Sequence, residues 1–297
     1  MKTFKFEVET PGIRLDKTIS DNFPELSRMQ VKQLLADGMV LVDEHVHKAS
    51  YKVKAGESIT VKVPAEKPVE IKPKQVDFVV VYQDAHLMVV DKPTDLIVHP
   101  SSTSEETTLV HGLLQYLDKD VFTEPLRPGI VHRLDKDTSG LMLVGKTQAV
   151  LEKLQADLQA RKVKRKYQAI IEGVVPHQTG KIDAPIGRHP KKRHLMSVTA
   201  EGKPSITHFR VIKRFSEHTL VECELETGRT HQIRVHMQYI GHPVVGDQTY
   251  GFKKRSEAYG QYLHATELSF VHPITAKALT FTSALPTIFV DKLNSIR

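Results

Sequence analysis

The segment HRLDKDTSG, at residues 132–140, is the part of the sequence best suited to chemistry. It places the carboxylate of Asp135 among basic residues, and short apolar runs precede and follow it. A polar turn would account for residues 137–140. Such a turn does not require basic groups on both sides of a carboxylate. We therefore interpret Asp135 as a functional residue held between buried segments.

A free aspartate side chain is ionised at neutral pH, since its ordinary pKa is about 3.9. Asp135 could then act as a nucleophile or a proton acceptor without a general base. In a dry pocket, desolvation would favour the neutral form, so a cationic partner is needed. Arg229 and Arg234 lie near the start of a helix predicted over residues 230–240. A guanidinium can pair bidentately with a carboxylate, but helix geometry alone favours a surface position for Arg234.

A third segment combines basic residues with an aromatic ring. Residues 161–166 read RKVKRK, and Tyr167 follows within a strand predicted over residues 163–175. Such a run is usually a solvated face. It would also suit RNA, because the cations can bind phosphates while an extruded base stacks on the ring. The candidate RNA ligands of this segment are Lys164, Arg165 and Lys166.

Composition supports a polyanionic partner. The 297 residues carry a net charge of +7, which is typical of a nucleic-acid-binding protein. The single cysteine, Cys223, excludes an intramolecular disulfide, and we predict a buried thiol in a reducing compartment. The sequence has no signal-peptide-like or membrane-spanning apolar run, so we predict a cytoplasmic protein without a membrane partner. It also has no metal-binding spacing and no Gly-rich phosphate loop, which argues against a metal site or a nucleotide-driven reaction.

Patterning predicts two domains and a linker. Residues 1–63 alternate short strands with two helices, the second of which begins with the capping-box pair Ser27 and Gln30. Residues 64–76 are rich in Pro, Lys and Glu and are predicted to be an extended linker. Residues 77–297 mix helices and strands without a βαβ repeat. This predicts an α+β domain with a mixed, largely antiparallel central sheet and flanking helices.

Within residues 77–297, three kinds of element are predicted. Helices are expected over residues 109–117, 147–160 and 230–240, and a β-hairpin is expected over residues 207–225. Residues 176–205 are expected to be irregular.

The N-terminal part resembles the S4-like RNA-binding domain. The resemblance rests on RLD at residues 14–16, SR at 27–28, GMVLV at 38–42, KASYKV at 48–53 and GE at 56–57. It implies a small α+β module that binds structured RNA through two helices. The candidate basic face of these helices includes Arg14, Arg28 and Lys32.

The remainder resembles the pseudouridine synthases of the RluA/RluD type. Besides the segment at residues 132–140, the shared motifs are DKP at 91–93, VHP at 98–100, KYQA at 166–169, GRTHQIRVH at 228–236, GHP at 241–243, GD at 246–247 and LHA at 263–265. They occur in the family's order, from about residue 77 to the C-terminus. With an S4-like module in front, the most similar subgroup modifies large-subunit ribosomal RNA.

This resemblance implies a role for each matching residue. Asp135 corresponds to the catalytic aspartate, Tyr167 to the ring that stacks on the target uracil, and Arg234 to the partner of the catalytic carboxylate. Arg133 corresponds to the arginine that helps to extrude the base and fills its place. Arg229 corresponds more weakly to a contact with the RNA backbone. No cofactor is expected, since uridine and pseudouridine are isomers, and we expect a monomer.

Several alternatives stay open at this point. Asp135 could attack the ribose, attack the uracil ring, or take a proton from the sugar. The RNA could be transfer RNA, or the protein could be a non-catalytic RNA-binding or ribosome-assembly factor. A glycoside hydrolase using Asp135 and Asp137 is a weaker hypothesis, because a basic surface suits neutral sugars poorly.

Overall fold

The chain forms two compact units, Met1–Val69 and Glu70–Arg297. A computed structural model describes residues 2–64, 71–100, 106–193, 195–252 and 259–296. Among these residues, none of the helices combines the length and the hydrophobicity needed to cross a bilayer.

The second unit begins earlier than predicted. Ile71, inside the predicted linker, is only 3% exposed and belongs to the core of the larger unit. The backbone N–H of Lys74 also donates to the carbonyl of His111. Residues 71–76 are therefore part of the larger unit, because a buried isoleucine and a backbone hydrogen bond attach them to it. The linker residues 65–70 lie outside the described residues.

The first unit is an antiparallel sheet with two helices. Its elements are β1 (Lys2–Glu7), α1 (Leu15–Asn22), α2 (Arg28–Ala36), β2 (Val40–Val42), β3 (His45–Val46) and β4 (Ser58–Val63). The sheet order is β1-β4-β2-β3. The predicted capping box is confirmed, because Ser27 Oγ accepts the Gln30 N–H while the Gln30 side chain accepts the Ser27 N–H.

The larger unit is built on one extensive sheet. The strands of this unit are β5 (Val79–Gln83), β6 (Leu87–Lys92), β7 (Ser139–Gly145), β8 (Lys164–Glu172), β9 (Thr179–Asp183), β10 (Ile186–Arg188), β11 (Met196–Val198), β12 (Ile206–Arg214), β13 (His218–Leu225), β14 (Leu263–Val271) and β15 (Ala278–Thr282). Strands β10 and β11 form a separate two-stranded antiparallel sheet. Its helices are α3 (Leu109–Leu113), a short 3-10 helix (Lys119–Val121), α4 (Gln148–Gln159), α5 (Gln232–Tyr239) and α6 (Thr287–Ser295).

Within the described ranges, nine strands form the main sheet in the order β5-β6-β7-β14-β8-β13-β12-β9, and β15 pairs with β14. All these pairings are antiparallel except β7 with β14, so the predicted fold class is confirmed.

Several predicted elements are confirmed and others are wrong. Helix α4 and the hairpin β12–β13 lie where the patterns placed them. Cys223, on β13, is fully buried as predicted. The segment 176–205 is not irregular, since it contains β9, β10 and β11. These strands have three to five residues, which is too short for alternation to be detected among Pro, Gly and His. Helix α3 ends at Leu113 rather than near residue 117.

The segment that carries Asp135 leads directly into the centre of the sheet. β7 is buried along its whole length and pairs in parallel with β14, where Gly140 faces Ala265. Gly140 has φ +111°, and a Cβ there would lie 2.3 Å from the Ala265 carbonyl oxygen. Only glycine tolerates this backbone conformation and this close approach. The end of the Asp135 loop is thereby fixed against a neighbouring strand.

Candidate active site

A buried lysine, Lys92, is hydrogen-bonded to the loop that carries Asp135. Lys92, at the end of β6, is fully buried, and its Nζ donates to the carbonyl oxygens of Pro93 (2.8 Å), Leu96 (2.9 Å) and Lys136 (2.9 Å). Burial lowers the pKa of Lys92 to about 7, and the charge of Asp135 opposes this change. Three carbonyl acceptors require the three donors that only the ammonium form carries. Lys92 is therefore a cation whose hydrogen bonds connect the segment Pro93–Leu96 to the loop that carries Asp135.

Arg234 lies beside Asp135 although 99 residues separate them in the sequence. Arg234 Nη1 donates to Asp135 Oδ2 at 2.9 Å, while its Nε and Nη2 donate to the two carboxylate oxygens of Asp247 at 2.6 and 2.9 Å. The Asp247 side chain is fully buried, and that of Asp135 is 17% exposed. One guanidinium therefore joins an inaccessible carboxylate to one that faces the cavity.

Asp247 is a site residue that reasoning from the sequence did not single out. Its Oδ1 also accepts the backbone N–H groups of Thr249 (2.8 Å) and Tyr250 (2.9 Å). Burial raises the pKa of Asp247, but the hydrogen bonds and charge of Arg234 outweigh burial, so the pKa lies below its usual value. The GD motif at residues 246–247 was the available signal. Asp247 fixes the orientation of the guanidinium that reaches Asp135.

His231 is a second neighbour of Asp135 that was not predicted. It precedes α5 with φ +58°, and its Nε2 lies 3.8 Å from Asp135 Oδ1. Tyr250 Oη lies 2.8 Å from His231 Nδ1 and accepts the Met196 N–H at 3.0 Å. The Tyr250 hydroxyl can therefore donate a hydrogen bond to Nδ1. In the neutral imidazole, the ring proton is then on Nε2, which faces Asp135. Burial lowers the pKa of His231, which favours this neutral imidazole.

These groups open onto a cavity of about 530 Å³, a size typical of small-ligand sites. Among the predicted site residues, those that line it are Arg133, Asp135, Arg165, Tyr167, Arg229 and Arg234. The cavity therefore brings together the three segments that the sequence singled out.

Comparison with known proteins agrees with this arrangement. A profile of the RNA pseudouridylate synthase family matches residues 86–239, and a profile of the S4 domain matches residues 13–59. The chain belongs to the RNA pseudouridylate synthase family. The enzyme is accordingly an isomerase, and its cavity lies largely within the matched range.

Individual relatives match almost the whole chain. The RNA pseudouridine synthase YlyB of Bacillus subtilis is 44% identical over 290 residues, which cover 97% of this chain and 96% of that protein. The ribosomal large subunit pseudouridine synthase D of Vibrio vulnificus is 42% identical, with coverage of 96% and 91%. The solved structure of human RNA Pseudouridylate Synthase Domain Containing 4 is 25% identical and aligns with a TM-score of 0.58 over 72% of this chain and 91% of that chain.

Strand β8 separates the basic residues of this pseudouridine synthase into two groups. Arg165 and Tyr167 are buried and line the cavity, whereas Lys164 is exposed and Lys166 pairs with Glu267 at 3.0 Å. Side chains alternate between the two faces of a strand, so Lys164 and Lys166 point away from the cavity. The predicted RNA ligands of this segment therefore do not form one patch.

Tyr167 lies in the cavity wall of the enzyme and is only 4% exposed. Burial raises the pKa of its phenol, so the ring is neutral at physiological pH. Arg133 is exposed and lines the cavity, as expected for a residue that contacts RNA. Arg229 also lines the cavity, and its Nε donates to the carbonyl of Pro204 at 3.2 Å.

His132 is not one of the charged neighbours of Asp135. His132 is buried, its Nε2 accepts the Leu143 N–H at 3.2 Å, and burial lowers its pKa to about 3. It is therefore neutral and structural. Asp137 is absent from the described cavity lining, so it does not form with Asp135 the carboxylate pair of the glycoside hydrolase hypothesis.

The basic residues of the S4 domain differ in their surroundings. Arg14 is exposed, but both its Nε and its Nη2 donate to the carboxylate of Asp16 at 3.0 Å. Arg28 and Lys32 are exposed on α2, four residues apart and hence on the same face. The candidate RNA-binding face of this unit is therefore centred on α2.

Proposed function

We propose that the protein converts specific uridines of large-subunit ribosomal RNA to pseudouridine, with Asp135 as the catalytic group. The observation that carries this proposal is the Asp135–Arg234 ion pair, which opens into a cavity whose wall contains Tyr167. Relatives from Vibrio vulnificus and Haemophilus influenzae that cover nearly the whole chain are named ribosomal large subunit pseudouridine synthase D. Those names support ribosomal RNA over transfer RNA as the substrate.

The reaction assigns a task to each residue of the cavity. The target base first leaves the helical stack, which costs a few kcal/mol. Tyr167 then stacks on the uracil, and Arg133, exposed at the cavity, fills the space that the base has left. The glycosidic bond from N1 breaks, the ring turns, and C5 bonds to the same ribose carbon. The proton lost from C5 is balanced by the proton that N1 gains, so no cofactor is required.

Asp135 can begin this sequence in three ways. It can attack the ribose carbon, attack the uracil ring, or take a proton from the sugar. Each route uses an ionised carboxylate, and Arg234 offsets the charge of that carboxylate at 2.9 Å. His231 Nε2 lies 3.8 Å from the other carboxylate oxygen, which is beyond hydrogen-bonding distance, so a proton there adds only a weaker electrostatic attraction.

The remaining basic residues bind the rest of the RNA in this proposal. Arg28 and Lys32, together with Arg14, form the RNA-binding face of the S4 domain. Arg229 contacts the RNA backbone at the cavity, and Lys164 and Lys166 contact it on the other face of β8. We further propose that the enzyme acts as a monomer in the cytoplasm, where its ribosomal substrate is assembled.

Asp135→Asn tests the catalytic assignment. The substrate is a ribosomal RNA transcript that carries tritium at C5 of uridine, because pseudouridine formation releases that tritium to water. The variant should release none above background while RNA affinity stays within about threefold, the range of substitutions without a structural effect. Asp137→Asn is the matched control and should retain the rate, since Asp137 does not line the described cavity. Normal tritium release by Asp135→Asn would refute the assignment.

A second experiment identifies the RNA. Pseudouridine is mapped in the ribosomal and transfer RNA of cells that lack the protein. We expect pseudouridines to be lost from large-subunit ribosomal RNA. If they are lost only from transfer RNA, the assignment of the substrate is wrong but that of the reaction stands. Complementation with Asp135→Asn separates the enzyme from an assembly factor, because a non-catalytic factor would still rescue a growth defect.

A further inference from the structure

Arg165 is a buried cation without a counter-ion. The residue is only 6% exposed, yet among the described residues no group accepts a hydrogen bond from its Nε and no carboxylate pairs with its guanidinium. Arg234 is equally buried but makes three hydrogen bonds to two carboxylates. Removing a charge from water is costly unless the charge is paired. The surroundings of Arg165 therefore lack an anion.

The free guanidinium reaches the cavity beside Tyr167. Arg165 and Tyr167 are two residues apart on β8 and point to the same side. Gly228 lies directly beside the guanidinium, because a Cβ there would be 3.0 Å from Arg165 Nη1. A side chain at residue 228 would therefore crowd the guanidinium, and glycine leaves the guanidinium its place at the cavity.

The acidic side chains that line the described cavity all pair with residues other than Arg165. The arginines that line it are Arg133, Arg161, Arg165, Arg229 and Arg234. In the part of the chain that the structure describes, the acidic residues of the lining are Asp135 and Glu226, and they already pair with Arg234 and Arg161. His132, which also lines the cavity, is neutral. The cavity thus carries an excess of positive charge that an anionic ligand would balance.

We propose that Arg165 binds a phosphodiester group of the same nucleotide whose base stacks on Tyr167. This inference rests on the proposed function, because it takes RNA as the ligand. The phosphate is the anionic group of RNA, whereas uracil offers only neutral carbonyl oxygens. A guanidinium also matches two phosphate oxygens bidentately. Arg165 therefore positions the backbone of the extruded nucleotide while Tyr167 positions its base.

The first test measures the thermal unfolding midpoint of the full chain. Inorganic phosphate is compared with chloride at equal ionic strength, and uridine 3′-monophosphate and 5′-monophosphate are compared with uridine. Phosphate should raise the wild-type midpoint. Arg165→Met should lose most of that rise, whereas Lys153→Met, a control that removes an exposed cation of α4 with no role in the proposed RNA contacts, should keep it. Without phosphate, Arg165→Met should unfold at or above the wild-type midpoint, because an unpaired buried charge is gone.

A second measurement uses a single-stranded oligouridylate. Arg165→Met should weaken binding by about 10-fold or more, as expected for a hydrogen bond to a charged group. It should also reduce the slope of log affinity against log salt by about 0.7, the value for one phosphate contact in a single strand. Gly228→Ala, which displaces the guanidinium without removing charge, should weaken binding in the same direction.

Two results would overturn the proposal. Equal losses for Arg165→Met and Lys153→Met would show only a diffuse basic surface. Equal dependence of uridine and its monophosphates on Arg165 would assign the guanidinium to the base. These binding readouts need no turnover, so they are independent of the outcome of Asp135→Asn.

Discussion

The substitution Asp247→Asn tests whether the buried carboxylate positions the catalytic one. Asp247 Oδ1 accepts two backbone N–H groups in addition to Arg234 Nη2, so the asparagine oxygen should occupy that place. The amide NH₂ then replaces Oδ2 and faces Arg234 Nε–H, which donated to Oδ2 at 2.6 Å. Two donors oppose each other, and one negative charge is lost.

This geometry sets the expected loss of stability and of catalytic rate. Removing one partner from a buried ion pair costs about 3–5 kcal/mol. Arg234 keeps its contact with Asp135, so we expect the lower end, about 3 kcal/mol, in the free energy of unfolding. Arg234 should also shift towards Asp135, and a misplacement of about 1 Å can lower a rate about 100-fold. We expect single-turnover tritium release to fall about 10- to 100-fold.

Urea unfolding, RNA affinity and single-turnover tritium release are measured on the same preparations. RNA affinity should stay within about threefold, because the Asp247 side chain is fully buried. Asp95→Asn is the matched control, since Asp95 is exposed and pairs with Lys136 at 3.2 Å. If Asp247→Asn loses stability but keeps the single-turnover rate, then Asp247 supports the fold and does not position Asp135.

Two further predictions concern the residues that hold the catalytic loop. The buried imidazole of His132 has a pKa of about 3 against an ordinary 6.5, so the unfolded chain binds a proton that the folded enzyme excludes, and stability falls as the pH drops below 6.5. Between pH 6.5 and about pH 4.5, the free energy of unfolding measured in urea should fall by about 2–3 kcal/mol more for the wild type than for His132→Gln. Parallel plots of unfolding free energy against pH for the two proteins would contradict this prediction. Lys92→Met leaves three carbonyl oxygens without their donor, and we expect a loss of about 2–4 kcal/mol in unfolding free energy together with a slower isomerisation. Lys92→Arg, which keeps the positive charge, is compared with Lys92→Met in both measurements. An unchanged isomerisation rate for Lys92→Met would show that the loop keeps its shape without the lysine.

The contact between Asp135 and Arg234 shows what spacing alone could not predict. Their separation of 99 residues hides the pairing, and an amphipathic helix is equally compatible with a surface arginine. The family resemblance supplied this pair. The resemblance also included the GD motif, but the part played by Asp247 became visible only when its carboxylate was seen on the guanidinium.

Local patterns predicted the regular elements well because those elements bury one face. The capping box of α2 and the alternation of β12 and β13 are examples. Alternation also applies to β8, where it would have separated Arg165 from Lys164 and Lys166. The neutrality of His132 could not be predicted, since it depends on burial by residues distant in the sequence.

The burial of Cys223 has a practical consequence for spectroscopy. Thiol reagents need an accessible thiolate, and burial raises the pKa of this thiol well above its usual value. As the chain has one cysteine, the native protein should be unreactive towards maleimides while folded. A cysteine introduced in place of an exposed residue of α2, such as Gln33, would then be the sole labelling site. A fluorophore there would report RNA binding by the S4 domain, with no native residue of the cavity replaced.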